Sequence, residues 1–363
     1  MDTRFTNRRS FLLGAAATAG IGAVAGALRV PSAFAAQAAQ PVARKQIMVG
    51  GKAVKVVDIH GHLVIPESEK LLAGSNVKGD YPRNQIMPGD RFDRMNARGI
   101  DMQVISINQY WWYTADRDLA AKIVRTHDEG VSAWCKGNSE RFVGLTSPSI
   151  QHPDLAAEQL DYAVNKLGLK GASVGGNIKG EVPSSEKFDP FWKKAEDLQV
   201  PVFMHPTNAD DIVEEGRFKG RGDLGNIVGN PFETTLFLSK LIFDGVFDRF
   251  PRLKVCGAHG GGFLPSYFGR TEVTCDVRAN AMCANKKRPN EYLKNNIMAD
   301  SMVFSDEGLR HLVAEMGASQ IVYGSDMPFN WPDTIPIIAN ASFLSNDQKE
   351  AILGGNLVHM LKI

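Results

Sequence analysis

Val56-Val57-Asp58-Ile59-His60-Gly61-His62 joins an apolar run to two histidines spaced by one residue. The run reads as a buried strand, and on extended backbone His60 and His62 share a face. Three further stretches end in the same way. They are Val202-Phe203-Met204-His205-Pro206, Val255-Cys256-Gly257-Ala258-His259-Gly260-Gly261-Gly262 and Ile321-Val322-Tyr323-Gly324-Ser325-Asp326-Met327-Pro328. Each puts a metal-ligating residue type where a strand gives way to a loop. Five such residues on four strand ends converge only if those strands share one sheet and run the same way.

Working outward, eight short apolar segments read as strands: Ala53–Ile59, Met102–Ile107, Phe142–Thr146, Lys170–Val174, Pro201–His205, Lys254–Ala258, Asn296–Ala299 and Gln320–Gly324. They lack clean alternation, as strands covered on both faces do. Helical periodicity separates most of them, over Asp154–Leu167, Phe232–Phe250, Asp306–Met316 and Asn346–Ile363. Eight β-α units predict an α/β fold, a (β/α)8 TIM barrel, with a long loop after strand 1 running from Val64 to Asp90. A doubly wound open sheet is the alternative. It places chemistry at one switch point, whereas here the ends of strands 1, 5, 6 and 8 all carry functional residue types.

With 363 residues, 22% charged, and a formal charge of +1, the chain has ordinary globular composition and no basic run for nucleic acid. Its four cysteines, Cys135, Cys256, Cys275 and Cys283, include no Cys-x-x-Cys pair, and their spacing singles out no disulfide. Asn7-Arg8-Arg9-Ser10-Phe11-Leu12 is a twin-arginine pattern, followed by an apolar stretch diluted with glycine. Small-x-small sites stand at Ala33-Phe34-Ala35 and Ala36-Gln37-Ala38. Residues 1–38 therefore read as a twin-arginine signal peptide that is removed, with 39–363 as a single barrel domain and the periplasm, or secretion, as destination. A permanent N-terminal anchor is the competing reading.

His60, His62, His205 and Asp326 make a nitrogen-rich set for one divalent metal, with zinc favoured over manganese. A second metal needs a bridging lysine at the end of strand 4, and that strand ends in Val174-Gly175-Gly176-Asn177. His259 is left as the titratable group beside the metal, able to take a proton from a metal-bound water or to act on a substrate oxygen. Arg270, in the helix expected from Phe263 onward, has a solvated charge as its plain reading. Trp111-Trp112-Tyr113 either stacks on a planar substrate or packs at the rim.

Gly245–Val255 running into Ala258-His259-Gly260-Gly261-Gly262, with Tyr323–Phe329, Gly229–Thr235 and Arg141–Leu145, resembles the amidohydrolase superfamily, specifically its amidohydrolase-2 branch. That branch includes aminocarboxymuconate-semialdehyde decarboxylase and related aromatic-acid decarboxylases. The resemblance runs from about Val56 to the C-terminus. It implies an amidohydrolase-type barrel in which the four ligands above hold zinc, with His259 and Asp326 catalytic. It also implies that Arg270 reaches the substrate carboxylate of a neighbouring subunit in a homodimer. Arg83 is the nearest candidate for a second substrate arginine, and Thr207 stands where an aromatic residue often follows His-Pro.

The expected activity is metal-dependent, non-oxidative decarboxylation of an aromatic or unsaturated carboxylic acid. The alternative is hydrolysis of a lactone or amide by the same centre. A periplasmic metal- or ligand-binding protein is the non-enzymatic alternative. A carboxylate substrate, a second subunit and the twin-arginine export machinery are the expected partners.

Overall fold

Two short antiparallel strands, β1 (Ile47–Val49) and β2 (Lys52–Val54), turn through Gly50 and Gly51, both at positive φ. Glycine is the residue that takes this turn without a Cβ penalty. The expected first strand, Ala53–Ile59, is thus two elements. Its start pairs in this hairpin, and the barrel strand β3 begins at Val57 and carries on to His62. Both histidines therefore lie within the strand rather than after it. The computed structural model describes residues 42–77, 85–107, 111–207 and 209–363, with Val42–Ile363 as one unit. The leader and Arg83 lie outside the described residues. Among those described, no helix is long and apolar enough to cross a membrane.

Seven strands follow β3: β4 (Met102–Ser106), β5 (Phe142–Gly144), β6 (Ala172–Gly175), β7 (Val202–His205), β8 (Val255–Gly257), β9 (Ile297–Asp300) and β10 (Ile321–Val322). All pair in parallel, as β3-β4-β5 and as β6 through β10 in order. Thr146 bridges the two groups, donating to Gly171 O (2.9 Å) and accepting from Ser173 N (2.7 Å). On the other side Ile59 N donates to Tyr323 O (2.9 Å) and His62 N to Met327 O (2.7 Å). These bonds join the first strand to the last, the topology of the (β/α)8 barrel.

One apolar cluster draws Val57, Val104, Val143, Phe203, Cys256, Met298 and Val322 from seven of the eight barrel strands, together with Leu357 and Leu361 of the C-terminal helix. A larger cluster binds the surrounding helices to the strands. The helix expected over Asp154–Leu167 runs over Pro153–Tyr162 and widens into a π turn at Ala163–Leu167. The Phe232–Phe250 expectation is two helices, Asn230–Phe243 and Val246–Arg249, split at Gly245 with φ 71°. Asp306–Met316 is a helix over that whole span, with the Ser305 side chain capping Gly308 N.

No single helix runs on from His259. A short turn at Ala258–Gly261 contains the left-handed His259, a 3₁₀ turn spans Pro265–Tyr267, and the helix proper is Phe268–Val277. Three consecutive positive-φ glycines, Gly260 to Gly262, break the path. Cys275 near the end of that helix forms a disulfide with Cys283, a pairing the spacing did not single out.

Candidate metal and active centre

The strand ends of β3, β7, β8 and β10 bring all five residues together. His60 lies 4.9 Å from His62, 5.0 Å from His205 and 5.3 Å from His259, ring centre to ring centre. One nitrogen or oxygen from each of His60, His205, His259 and Asp326 lies within 4.8 Å of the others. His62 stands against this group, its Nε2 3.0 Å from Asp326 Oδ1. Two four-residue ligand sets thus share His60, His205 and Asp326, and differ in whether His62 or His259 completes them.

The donors fit a divalent ion. His60 Nε2, His62 Nδ1 and His259 Nδ1 are buried with no hydrogen-bond partner among the described residues. Buried polar atoms are rarely left so, and His60 Nε2 faces the shared carboxylate, 3.3 Å from Asp326 Oδ1, whereas His62 and His259 turn Nε2 toward it. The opposite ring nitrogens are held from outside. His60 Nδ1 bonds Asp300 Oδ2 at 2.7 Å, and His205 Nδ1 bonds Pro206 O at 2.9 Å. This is the usual way a ligand imidazole has its tautomer fixed.

Charge follows burial here. Desolvation lowers the His62 pKa to about 4, with the nearby His60 charge adding to the effect and Asp326 opposing it. His205 is pushed well below its ordinary value by burial and by the neighbouring imidazoles. Both are therefore neutral, the form that binds metal. Burial would lower His60 as well, yet Asp326 and Asp300 outweigh it and raise its pKa. Burial would raise Asp326, but the His60 charge, the nearby His259 imidazole and the His62 hydrogen bond hold it well below the carboxylate range. His259 and Asp326 both sit at left-handed φ, 56° and 55°. Non-glycine residues held there are concentrated at functional sites.

A second buried chain supports the strand carrying the two histidines. Asp58 accepts from His60 N (2.9 Å), Ser325 N (3.0 Å), Ser325 Oγ (2.5 Å) and Gln103 Nε2 (2.6 Å). Arg91 then donates to Gln103 Oε1 (2.7 Å) and to His62 O (2.6 Å). A Cβ on Gly61 would come within 2.3 Å of Gln103 Cδ, so a larger residue between the two histidines would displace the Gln103 side chain that links Asp58 to Arg91. Asp58, Gln103, Arg91 and Asp300 were not singled out from sequence. Asp58 stands beside the His-x-His motif, and Asp300 ends a strand as the candidate ligands do.

The mouth is walled by Trp111, stacked on His205 with rings 28° apart and donating Nε1–H to Ser173 O at 3.2 Å. Gly175 N donates to the Tyr113 hydroxyl at 2.9 Å. Beside them, Thr207 Oγ1 and Asn177 Nδ2 both donate to Glu233 Oε1, at 2.6 and 2.8 Å. Arg270 lies in the Phe268–Val277 helix, exposed to solvent. The helix expected from Phe263 onward begins only at Phe268, after the 3₁₀ turn at Pro265–Tyr267.

The amidohydrolase family model (Amidohydro_2) matches residues 57–362. The chain belongs to this family. It is 33% identical over 279 residues to 2-amino-3-carboxymuconate-6-semialdehyde decarboxylase of Dictyostelium discoideum, covering 76% of each chain. It is 28% identical over 324 residues to gamma-resorcylate decarboxylase of a Rhizobium species, covering 85% of this chain and 98% of that one. Among solved structures, 2,6-dihydroxybenzoate decarboxylase from Rhizobium superposes with a TM-score of 0.74 at 27% identity, covering 85% and 99%. A dihydroxybenzoic acid decarboxylase from Polaromonas, solved with manganese and 2-nitroresorcinol, shares the fold at TM-score 0.72 and 24% identity, covering 85% and 97%.

Proposed function

We propose that this protein is a metal-dependent, non-oxidative carboxy-lyase acting on an aromatic or unsaturated carboxylic acid. The observation that carries the reading is the buried His60–His62–His205–Asp326 group with the partly exposed His259 imidazole beside it, in a chain similar to 2-amino-3-carboxymuconate-6-semialdehyde decarboxylase and gamma-resorcylate decarboxylase. The hydrolase alternative finds no such support among those relatives.

We assign His60, His62, His205 and Asp326 as ligands and His259 as the proton-transfer group. Burial separates the two roles. The His60 and His62 side chains are wholly buried, whereas the His259 side chain is 17% exposed, the access a group that meets substrate requires. A divalent ion in this set acts as a Lewis acid, polarising a bound oxygen and lowering the pKa of water. Zinc suits three nitrogens and one oxygen, and manganese occupies the Polaromonas neighbour. Around it, His259 accepts or returns a proton at Nε2, with Asp326 Oδ2 3.9 Å away to balance the charge. Trp111, with its ring tilted 28° to that of His205, supplies an aromatic wall beside the group that can orient a planar acid and exclude water. Loss of CO2 from the acid, with a proton delivered to the carbon it leaves, is the chemistry this layout serves. Release of CO2 from such acids by the ion-loaded protein tests the assignment.

We also read the chain as exported through the twin-arginine route and active as a homodimer in which Arg270 reaches the partner's pocket. The Cys275–Cys283 disulfide supports an oxidising destination, and the exposure of Arg270 supports a role outside its own barrel. Changing Arg8 and Arg9 together to lysine is expected to leave the protein in the cytoplasm with its leader uncleaved. Continued appearance in the periplasm would remove the twin-arginine reading.

A further inference from the structure

Asp300, the last residue of β9, is buried and lies at the junction of the two functional halves of the centre. Its Oδ2 accepts from the His60 ring at Nδ1 (2.7 Å) and from the backbone N–H of His259 (3.0 Å). Its Oδ1 accepts from Gly260 N (2.8 Å) and Met302 N (3.2 Å). The backbone just after β10 closes over it, since a Cβ on Gly324 would lie 2.8 Å from the Asp300 Cβ. Three of the four neighbours are backbone N–H donors shared between both oxygens, which a carboxylate satisfies, and the His60 ring completes the set when Nδ1 carries its proton.

We infer that Asp300 is a positioning residue that couples the two roles. It fixes His60 as the Nδ1–H tautomer, with the Nε2 lone pair facing the ligand cluster. With the same carboxylate it pins the left-handed turn at His259 and Gly260 that aims the proton-transfer imidazole. This rests on the metal-site reading above only in what the Nε2 lone pair serves.

Asp300→Asn is the discriminating change because it is isosteric. Whichever way the amide is turned, its NH2 meets two donors. The backbone N–H groups of Gly260 and Met302 cannot become acceptors, whereas the His60 ring can, by moving its proton to Nε2. The NH2 therefore faces His60, leaving one unmatched donor, the His259 N–H, rather than two, and the resulting His60 Nε2–H has no lone pair to offer an ion. Nitrogen-15 NMR of labelled wild-type protein, at alkaline pH where the ring is neutral, is expected to show His60 protonated at Nδ1, and Asp300→Asn to show it at Nε2. Chelator competition with zinc is expected to give a 10- to 100-fold weaker affinity for the variant, roughly the loss seen when such outer carboxylates are removed.

A wild-type ring protonated at Nε2, or an unchanged tautomer in a folded variant, overturns the inference. So does unaltered zinc affinity in a wild type that binds the ion. If wild type binds no zinc yet shows the Nδ1–H form that switches in the variant, the inference stands and the metal reading falls. If Asp300→Asn does not fold, the wild-type tautomer alone decides.

Discussion

His259 and Asp326 face each other across 3.9 Å, Nε2 to Oδ2, each from a left-handed backbone position. Asp326 turns its other oxygen to His62 Nε2 at 3.0 Å. One carboxylate thus separates the two imidazoles whose roles the account distinguishes, and substitution tells them apart. His62→Ala is expected to lose the ion. His259→Ala is expected to keep close to one ion per chain while kcat falls by about 10^2 to 10^4, the span for a lost proton-transfer group. Elemental analysis beside steady-state kinetics measures both. Ion loss on His259→Ala with retention on His62→Ala would exchange the assignments.

Arg91 tests the support beneath the ligands. It is buried, and its guanidinium is the donor to Gln103 Oε1 and to the His62 carbonyl. Arg91→Met leaves both acceptors buried without a donor, at about 1–3 kcal/mol each. Urea denaturation is expected to show a loss of roughly 3 kcal/mol. Stability within error of wild type would mean that water or another donor takes over both acceptors.

The legible part of this molecule is what local chemistry announces. His60 and His62 declare themselves by period-two spacing after an apolar run, and His205, His259 and Asp326 by their place at strand ends. The order of the eight barrel strands followed from those positions. What local pattern could not supply was pairing at a distance. Val54 reads as barrel strand until it is seen opposite Ile47 in a hairpin. Asp300 and Gln103 are ordinary strand residues until the fold brings them against His60 and Asp58, 240 and 45 positions away. The disulfide was hidden for the same reason, because a helix end and a returning loop, not the interval between cysteines, set it.

The remaining thiols give a pH prediction. Burial pushes the Cys135 pKa up to about 12 and the Cys256 pKa well above its ordinary value. The thiolate is the reactive form, so alkylation of the folded protein is expected to stay slow through the range where an open cysteine, with pKa near 8.5, reacts freely. After unfolding without reductant, two thiols are expected to react, and after reduction four. Rapid native labelling at Cys135 would contradict the burial argument. Four reactive thiols without reductant would contradict the Cys275–Cys283 bond.

Arg270 carries the intersubunit part of the proposal. Arg270→Ala is expected to raise KM for a carboxylate substrate and leave ion content unchanged, since a guanidinium captures a carboxylate through paired hydrogen bonds. Mixing these chains with His259→Ala chains is expected to restore part of the activity, because one pocket of the mixed dimer then holds both groups. A mixture that remains inactive after confirmed subunit exchange would confine Arg270 to the surface.

The most direct measurement is CO2 release by the mature protein loaded with zinc or manganese, across a panel that includes 2,6-dihydroxybenzoate and muconate-type acids. The account predicts one CO2 per substrate consumed, no oxidant required, abolition by chelation and recovery on returning the ion. Failure to release CO2 from any such acid, while the same ion-loaded protein opens a lactone or amide, would contradict it.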